Sequence, residues 1–199
     1  MTPIAIATED QLSEAIALRL ISEIPTPHVV QHSLGKRGNG YLYSKMGSWH
    51  QMAQQQVMVV LTDLDSANCL VEFRGQWLAH LPPDNLVFRV AVREVESWVL
   101  ADHIAMRALI GAKGVLPVAP DELPDPKQAL LGLAKRAPKQ VREDLLKTID
   151  GKLAQGLGYN ARLTEWVNTQ WSPHRAAERS PSLARARLRL KAVVAAFKP

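Results

Sequence analysis

The chain has a single cysteine, Cys69. One thiol makes neither an intramolecular disulfide nor a cysteine-rich zinc site, and it fits a reducing compartment. No run of about 18 apolar residues is present, so no membrane-spanning helix is expected. The first residues lack a basic segment leading into an apolar stretch, so no secretory signal is expected and a cytoplasmic location is. Internal repeats and low-complexity tracts are missing too, which removes solenoids and disordered tails from consideration. The excess of one charge sign is small: a net charge of +5 and a pI of about 9.5 allow an anionic partner without demanding one.

What is present suits a folded α/β protein. Hydrophobic residues make up 47% and charged residues 22% of 199 positions, enough for one substantial core in one compact unit. The stretch VMVVLTDLDS, from Val57 to Ser66, organises the rest. Val57 to Leu61 is an unbroken, largely β-branched run, the pattern of a central parallel strand buried on both faces. Asp63 and Asp65 follow at its carboxyl end, where ligands of open α/β sheets bind, and such a pair of carboxylates attracts a divalent cation. Asp and Ser also serve turns and helix caps, so the triplet by itself is equally turn chemistry.

Along the chain, Pro3 to Ala7 is expected as the first strand, with a helix carrying Leu12, Ala15, Ile16 and Leu20 on its buried face. Glu9 then stands at the carboxyl end of that strand, on the same rim as Asp63 and Asp65, so that three carboxylates converge. The competing role for Glu9 is a first-turn acid, one that Asp10 and Glu14 fill equally well. His28 to Gln31 is expected as a short strand, followed by an exposed loop, HSLGKRGNGYLYSK. Its glycines, Lys36, Arg37 and Lys45, and the rings of Tyr41 and Tyr43, suit a phosphate backbone with stacked bases. The segment matches neither standard phosphate-loop fingerprint, and a solvated loop is the plainer reading. His28, His32 and His50 have no metal-ligand spacing.

Helices are expected from Met46 to Gln56 and from Cys69 to Leu78. The stretch NLVFRVAVREVESWVLAD then supplies a buried strand, Leu86 to Val92, and a helix from Glu94 to Asp102. Glu94 and Glu96 lie among Val90, Val92, Val95, Trp98 and Leu100, so at least one needs a partner, either Arg93 or a metal. Asp102 reads as a helix-surface acid. Beyond Gly111, four prolines from Pro117 to Pro126 mark an irregular connection. Helices are expected over Pro126–Ala134, Gln140–Ile149 and Leu163–Trp171, with a glycine-containing loop over Gly151–Asn160. Ser180-Pro181-Ser182 caps a final helix whose buried face is Leu190, Val193, Val194 and Phe197. Arg185, Arg187, Arg189 and Lys191 surround its other side, a solvated basic face that also suits a nucleic-acid backbone, chiefly through Arg185 and Arg189. The expected division is a core over residues 1–112 and a helical extension over 113–199 packed on it.

With Glu9 after the first strand, Asp63-Leu64-Asp65 after the central one and Glu94 and Glu96 after the next, the chain resembles the Toprim fold. That module occurs in topoisomerases, bacterial primases, recombination proteins and the overcoming-lysogenisation nucleases. It is more closely similar to a family of bacterial Toprim-like proteins, through ATEDQLSEA, VVLTDLDS, RVAVREVESWVLAD, GLGYN and RSPSLARARLRL. Glu9, Asp63 and Asp65 match the Toprim acids; Glu94 and Glu96 match the closer family only. Toprim modules usually carry a glycine directly after the first glutamate, where this chain has Asp10. The resemblance implies a mostly parallel sheet flanked by helices, Mg²⁺ or Mn²⁺ on carboxylates, and phosphodiester chemistry on nucleic acid, DNA above all, in phage defence or DNA processing. It further implies Glu9 as general acid or base, Asp63 and Asp65 as metal ligands, and Glu94 or Glu96 completing a second metal site or orienting the ligands of the first.

Other Asp-x-Asp chemistries fit less well. A haloacid-dehalogenase phosphatase carries its pair on the first core strand, whereas Asp63 comes late. A nucleotide-sugar transferase would need a sugar site that the largely helical later chain does not suggest. A receiver domain would use Glu9-Asp10 with Asp63 and leave the Glu94–Glu96 stretch without a role. The rival from another class is a non-catalytic subunit that binds nucleic acid or a partner, such as an ATPase, through a Toprim-like fold.

Overall fold

Residues 1–78 and 81–198 are described by a computed structural model. Its first unit carries β1 (Thr2–Thr8), α1 (Gln11–Ser22), β2 (His28–Gly35), α2 (Asn39–Ser44), α3 (Met46–Met52), β3 (Val57–Asp63), α4 (Leu70–Trp77) and β4 (Leu86–Ala91). The four strands are all parallel, in the order β2-β1-β3-β4. Ile4 lies opposite Val57 and Thr8 opposite Leu61, while Met58 lies opposite Leu86 and Asp63 opposite Ala91. All seven residues of β3 are buried, as its unbroken apolar run predicts. Each fully buried Val, Leu or Met contributes roughly 1.5–3 kcal/mol, so this strand anchors the sheet.

Alternation along the strands divides the core into two layers. Ala5, Ala7, Met58, Val60, Leu86, Phe88 and Val90 point to one face, against Leu42, Met46 and Trp49 of α2 and α3 and Trp77 of α4. Trp77 stacks on Phe88 at 5.1 Å and meets Tyr43 edge-on at 5.3 Å. The opposite register positions, Ile4, Ile6, Val57, Val59 and Leu61, fall on the other face, and α1 packs against β1 and β3. There α1 contributes Leu12, Ala15, Ile16, Leu20 and Ile21 to the core.

The second unit runs α5 (Glu96–Ala101), α6 (His103–Ile110), a 3-10 turn (Pro120–Glu122), α7 (Pro126–Ala134), α8 (Lys139–Leu145), β5 (Leu146–Ile149), β6 (Lys152–Gln155), α9 (Tyr159–Thr169) and α10 (Pro173–Ala176). Every residue of α5 is buried, and α7, the 3-10 turn and α10 pack against it. The last helix, α11 (Pro181–Ala196), begins in this unit and ends in the first. Its start is capped as expected, the Leu183 N–H donating to Ser180 Oγ at 3.2 Å.

Four expectations are corrected. The division falls at Ala91/Val92 and again at Ala184/Arg185 rather than at residue 112, and it makes two compact units where one was expected, because α5 belongs with α7 and α10. Gln140–Ile149 is not one helix: α8 ends at Leu145, and β5 pairs with β6 across Asp150-Gly151, both at positive φ (49° and 75°), the two-residue turn of a tight hairpin. The exposed loop over residues 32–45 is mostly regular, since β2 continues to Gly35 and α2 starts at Asn39. Asp102 is wholly buried rather than on a helix surface.

Gly35 closes β2 beside β1. Its φ is +91°, and a Cβ there would lie against the Thr8 carbonyl oxygen and 2.9 Å from the Thr8 nitrogen. Both strain and overlap therefore oppose any side chain. We expect Gly35→Ala to lower the urea-unfolding free energy by roughly 2–4 kcal/mol. A loss below about 0.5 kcal/mol would show that the strand ends separate easily.

Candidate functional site

The order β2-β1-β3-β4 means that the chain leaves β1 toward one side of the sheet and β3 toward the other. In open parallel sheets this reversal opens a crevice at the carboxyl ends of the two central strands, where ligands bind. Glu9 follows β1 directly, and Asp63 is the last residue of β3. The first polar groups to leave the buried strands therefore meet at that rim.

Local sequence holds Glu9 there. Asp10, not Glu9, caps α1, its carboxylate accepting from Ser13 N–H at 2.8 Å. Glu14 is the first-turn acid and pairs with Lys36 at 3.1 Å. With the helix served by these two, Glu9 turns to β3. Its Oε1 accepts from Thr62 Oγ1, from the Asp63 N–H at 2.8 Å and from Asn39 Nδ2 at 3.5 Å. Asn39 also donates to Thr62 Oγ1 at 3.2 Å. Burial raises the pKa of Glu9; the hydrogen bonds from Thr62 and Asp63 oppose the shift, and the charges of Asp65 and Asp10 add to it.

The Asp-x-Asp triplet alternates sharply. Asp63 is buried, Leu64 enters the core, and Asp65 is exposed at φ +50°, a left-handed turn conformation that aspartate tolerates better than most residues. The Leu64 N–H donates to Ala91 O at 3.0 Å, and Ala67 N–H to Leu64 O at 3.1 Å, which pins the turn to β4. Glu9, Asp63 and Asp65 thus share one rim, as expected. A ligand cluster is another matter: among the described residues, no group of three or more His, Cys, Asp and Glu side chains is disposed to hold a metal ion. The donors are all oxygens, which suits Mg²⁺ or Mn²⁺, but Glu9 Oε1 is already engaged by three donors.

Glu94 and Glu96 belong to the second unit, and the cation beside them is a lysine. Glu94 accepts from Lys127 Nζ at 2.8 Å and from the Lys127 N–H at 3.0 Å. Glu96, only 2% exposed, accepts from Tyr159 OH at 2.8 Å and lies 3.7 Å from Lys127 Nζ. Burial pushes the Glu96 carboxyl up to about 7 against the pull of Lys127, and burial beside Glu96 raises the Tyr159 phenol. The same stretch continues this pattern. Trp98 Nε1 donates to Ser182 Oγ at 2.7 Å, and Asp102 pairs with Arg175 at 2.7 Å while accepting from Ser172 N–H at 2.8 Å. Hydrogen bonding to Asp102 raises the Arg175 guanidinium. The most distinctive motif in the chain therefore ties α5 to α7, α9 and α10.

The basic candidates are scattered in role. Lys36 pairs with Glu14, Arg37 sits over the Tyr41 ring at 5.3 Å, and the half-exposed Tyr43 meets Trp77 edge-on. Lys45, Arg185 and Arg189 are exposed. Thr62 and Asn39 were not singled out by sequence; the polar break at Thr62 ahead of Asp63 signals the first, and nothing local signals the second.

Glu96 makes stability depend on pH. Its folded pKa, about 7, exceeds the unfolded value of 4.5, so the fold favours the protonated acid. The contribution is complete below pH 4.5 and disappears as pH rises through about 7. Chemical unfolding should show the wild type losing stability on the order of 3 kcal/mol across this window relative to Glu96→Gln, which cannot ionise. Parallel pH profiles for the two proteins would contradict this.

Compared with family models, with curated proteins and with solved structures, the chain matches none.

Proposed function

We propose that the chain is a Toprim-type nuclease that carries out Mg²⁺- or Mn²⁺-dependent phosphodiester chemistry on nucleic acid, with DNA the expected substrate. One observation carries the reading: Glu9 and Asp63 are joined, at 2.8 Å, at the carboxyl ends of the two strands between which the sheet order reverses. Asp63 and Asp65 would hold the ion, which when bound polarises a phosphoryl oxygen and acidifies a bound water or hydroxyl. Glu9 has the character of a general acid or base, since its raised pKa brings its proton affinity toward neutral pH. The donors on Oε1 fix the carboxylate and leave Oε2 as the atom that takes or gives the proton. Glu94 and Glu96, already paired with Lys127, stand outside this assignment.

A second reading has its own support. The missing three-membered ligand group among the described residues, with Asp10 used as a helix cap where Toprim modules carry glycine, favours a non-catalytic module that binds nucleic acid or a partner such as an ATPase.

The two readings separate in a cleavage assay on labelled single-stranded and duplex DNA and RNA, with Mn²⁺, Mg²⁺ or chelator. The nuclease reading expects cutting that chelator abolishes, that Asp63→Ala eliminates, and that Glu9→Gln slows by about 10²- to 10⁴-fold. Undiminished cutting by Asp63→Ala would end it. Calorimetric titration of Mn²⁺ should give binding to the wild type and a large loss in Asp65→Ala; no heat in either favours the module.

A further inference from the structure

β4 is buried except at one residue, Arg89, which is half-buried. Arg89 lies opposite Leu61, so its side chain leaves the sheet on the face of Leu61, Val59 and Ile4 rather than toward Phe88 and Trp77. Its Nε is shielded from solvent with no hydrogen-bond partner, and no ion pair joins the residue to a carboxylate among the described residues. A guanidinium in that position is costly unless a counter-charge arrives.

The charges that act on Arg89 are of its own sign. Burial, then Arg74, Arg189 and Arg185, lower its pKa to about 10, which still leaves it charged at neutral pH. Arg185 and Arg189 are four residues apart on α11 and share one stripe, and both are exposed, as is Arg74. Arg187, between them, is spent on Glu23 at 2.7 Å. Arg189 donates to the Asp84 carbonyl at 3.2 Å, which leaves the rest of its fork open. Beside it lies a groove of about 470 Å³ lined by Asp84, Asn85, Arg189, Ala192, Val193 and Lys198.

We infer that Arg74, Arg89, Arg185 and Arg189 form a phosphate-binding patch on the first unit that takes the backbone of a nucleic-acid strand. Arg89, fixed on a strand, seats one phosphate, and the exposed arginines follow its neighbours. Guanidinium forks suit this task because they bind phosphate oxygens in pairs. The inference rests on the nucleic-acid part of the proposed function and not on cleavage.

Fluorescence anisotropy of labelled single-stranded and duplex DNA, titrated at several salt concentrations, tests it. Arg89→Gln and the double variant Arg185→Gln/Arg189→Gln should each weaken binding about tenfold or more, and the slope of log K against log salt should fall by roughly one for every phosphate that a substitution leaves unneutralised. Lys152→Gln, an exposed lysine of the second unit, removes the same charge and should leave affinity nearly unchanged. Arg185 and Arg189 are solvent-facing, so the double variant remains informative if Arg89→Gln is unstable. Binding that the arginine variants do not move, an equal effect from Lys152→Gln, no binding at all, or displacement by inorganic phosphate at matched phosphate concentration would each overturn the patch. Arginine-dependent binding with no cutting under any metal condition would sink the nuclease reading alone; cutting with arginine-independent binding would sink the patch alone.

Discussion

A strand buried on both faces can present chemistry only at its ends. β3 is such a strand, enclosed by β1 and β4 and covered on each side, and Thr62, Asp63 and Asp65 are its first polar groups to emerge. The β1–β3 ladder ends at Thr8 opposite Leu61, and Glu9, directly after β1, accepts the hydrogen bond of the Asp63 main-chain N–H. One backbone donor past the end of that ladder thus fixes the position of the acid. The cap at Asp10 and the Glu14–Lys36 pair follow, because they free Glu9 from serving α1.

The two acidic stretches divide between two kinds of work. Glu9, Asp63 and Asp65 lie on the rim at the carboxyl ends of the central strands, with Asp65 in a left-handed turn and burial raising the pKa of Glu9. Glu94, Glu96 and Asp102 have partners inside their own unit, Lys127, Tyr159 and Arg175, although the second oxygen of Glu96 is buried without a hydrogen bond. A shared acidic character along the sequence therefore conceals a difference in partners, and partners are a property of the fold.

Much of the sheet was legible because burial writes itself into composition. Val57–Leu61 and Leu86–Val92 read as strands from their largely apolar sequence, the second ending one residue earlier at Ala91, and Pro126–Ala134 read as a helix with its proline at the start. The β5–β6 hairpin was missed because Gln140–Leu145 is rich in helix formers and masks the change at Leu146; the Asp150-Gly151 pair was its visible signal. At the site, the positions of Glu9 and Asp63 followed from their strands. What could not be read was reach: Asn39 meets Glu9 across 30 residues and Arg175 meets Asp102 across 73, and no local pattern encodes a pairing over such separations.

The first unit is made of two pieces of chain, with the whole second unit between them. The ion pair of Arg187 with Glu23 closes that unit across 164 positions. A ribosome therefore releases the sheet of the first unit long before it releases the helix that completes it. Until then the first unit waits for its last helix, while residues 92–184 form one contiguous stretch. Order of synthesis and order of completion are thus reversed in this protein: the part begun first is finished last.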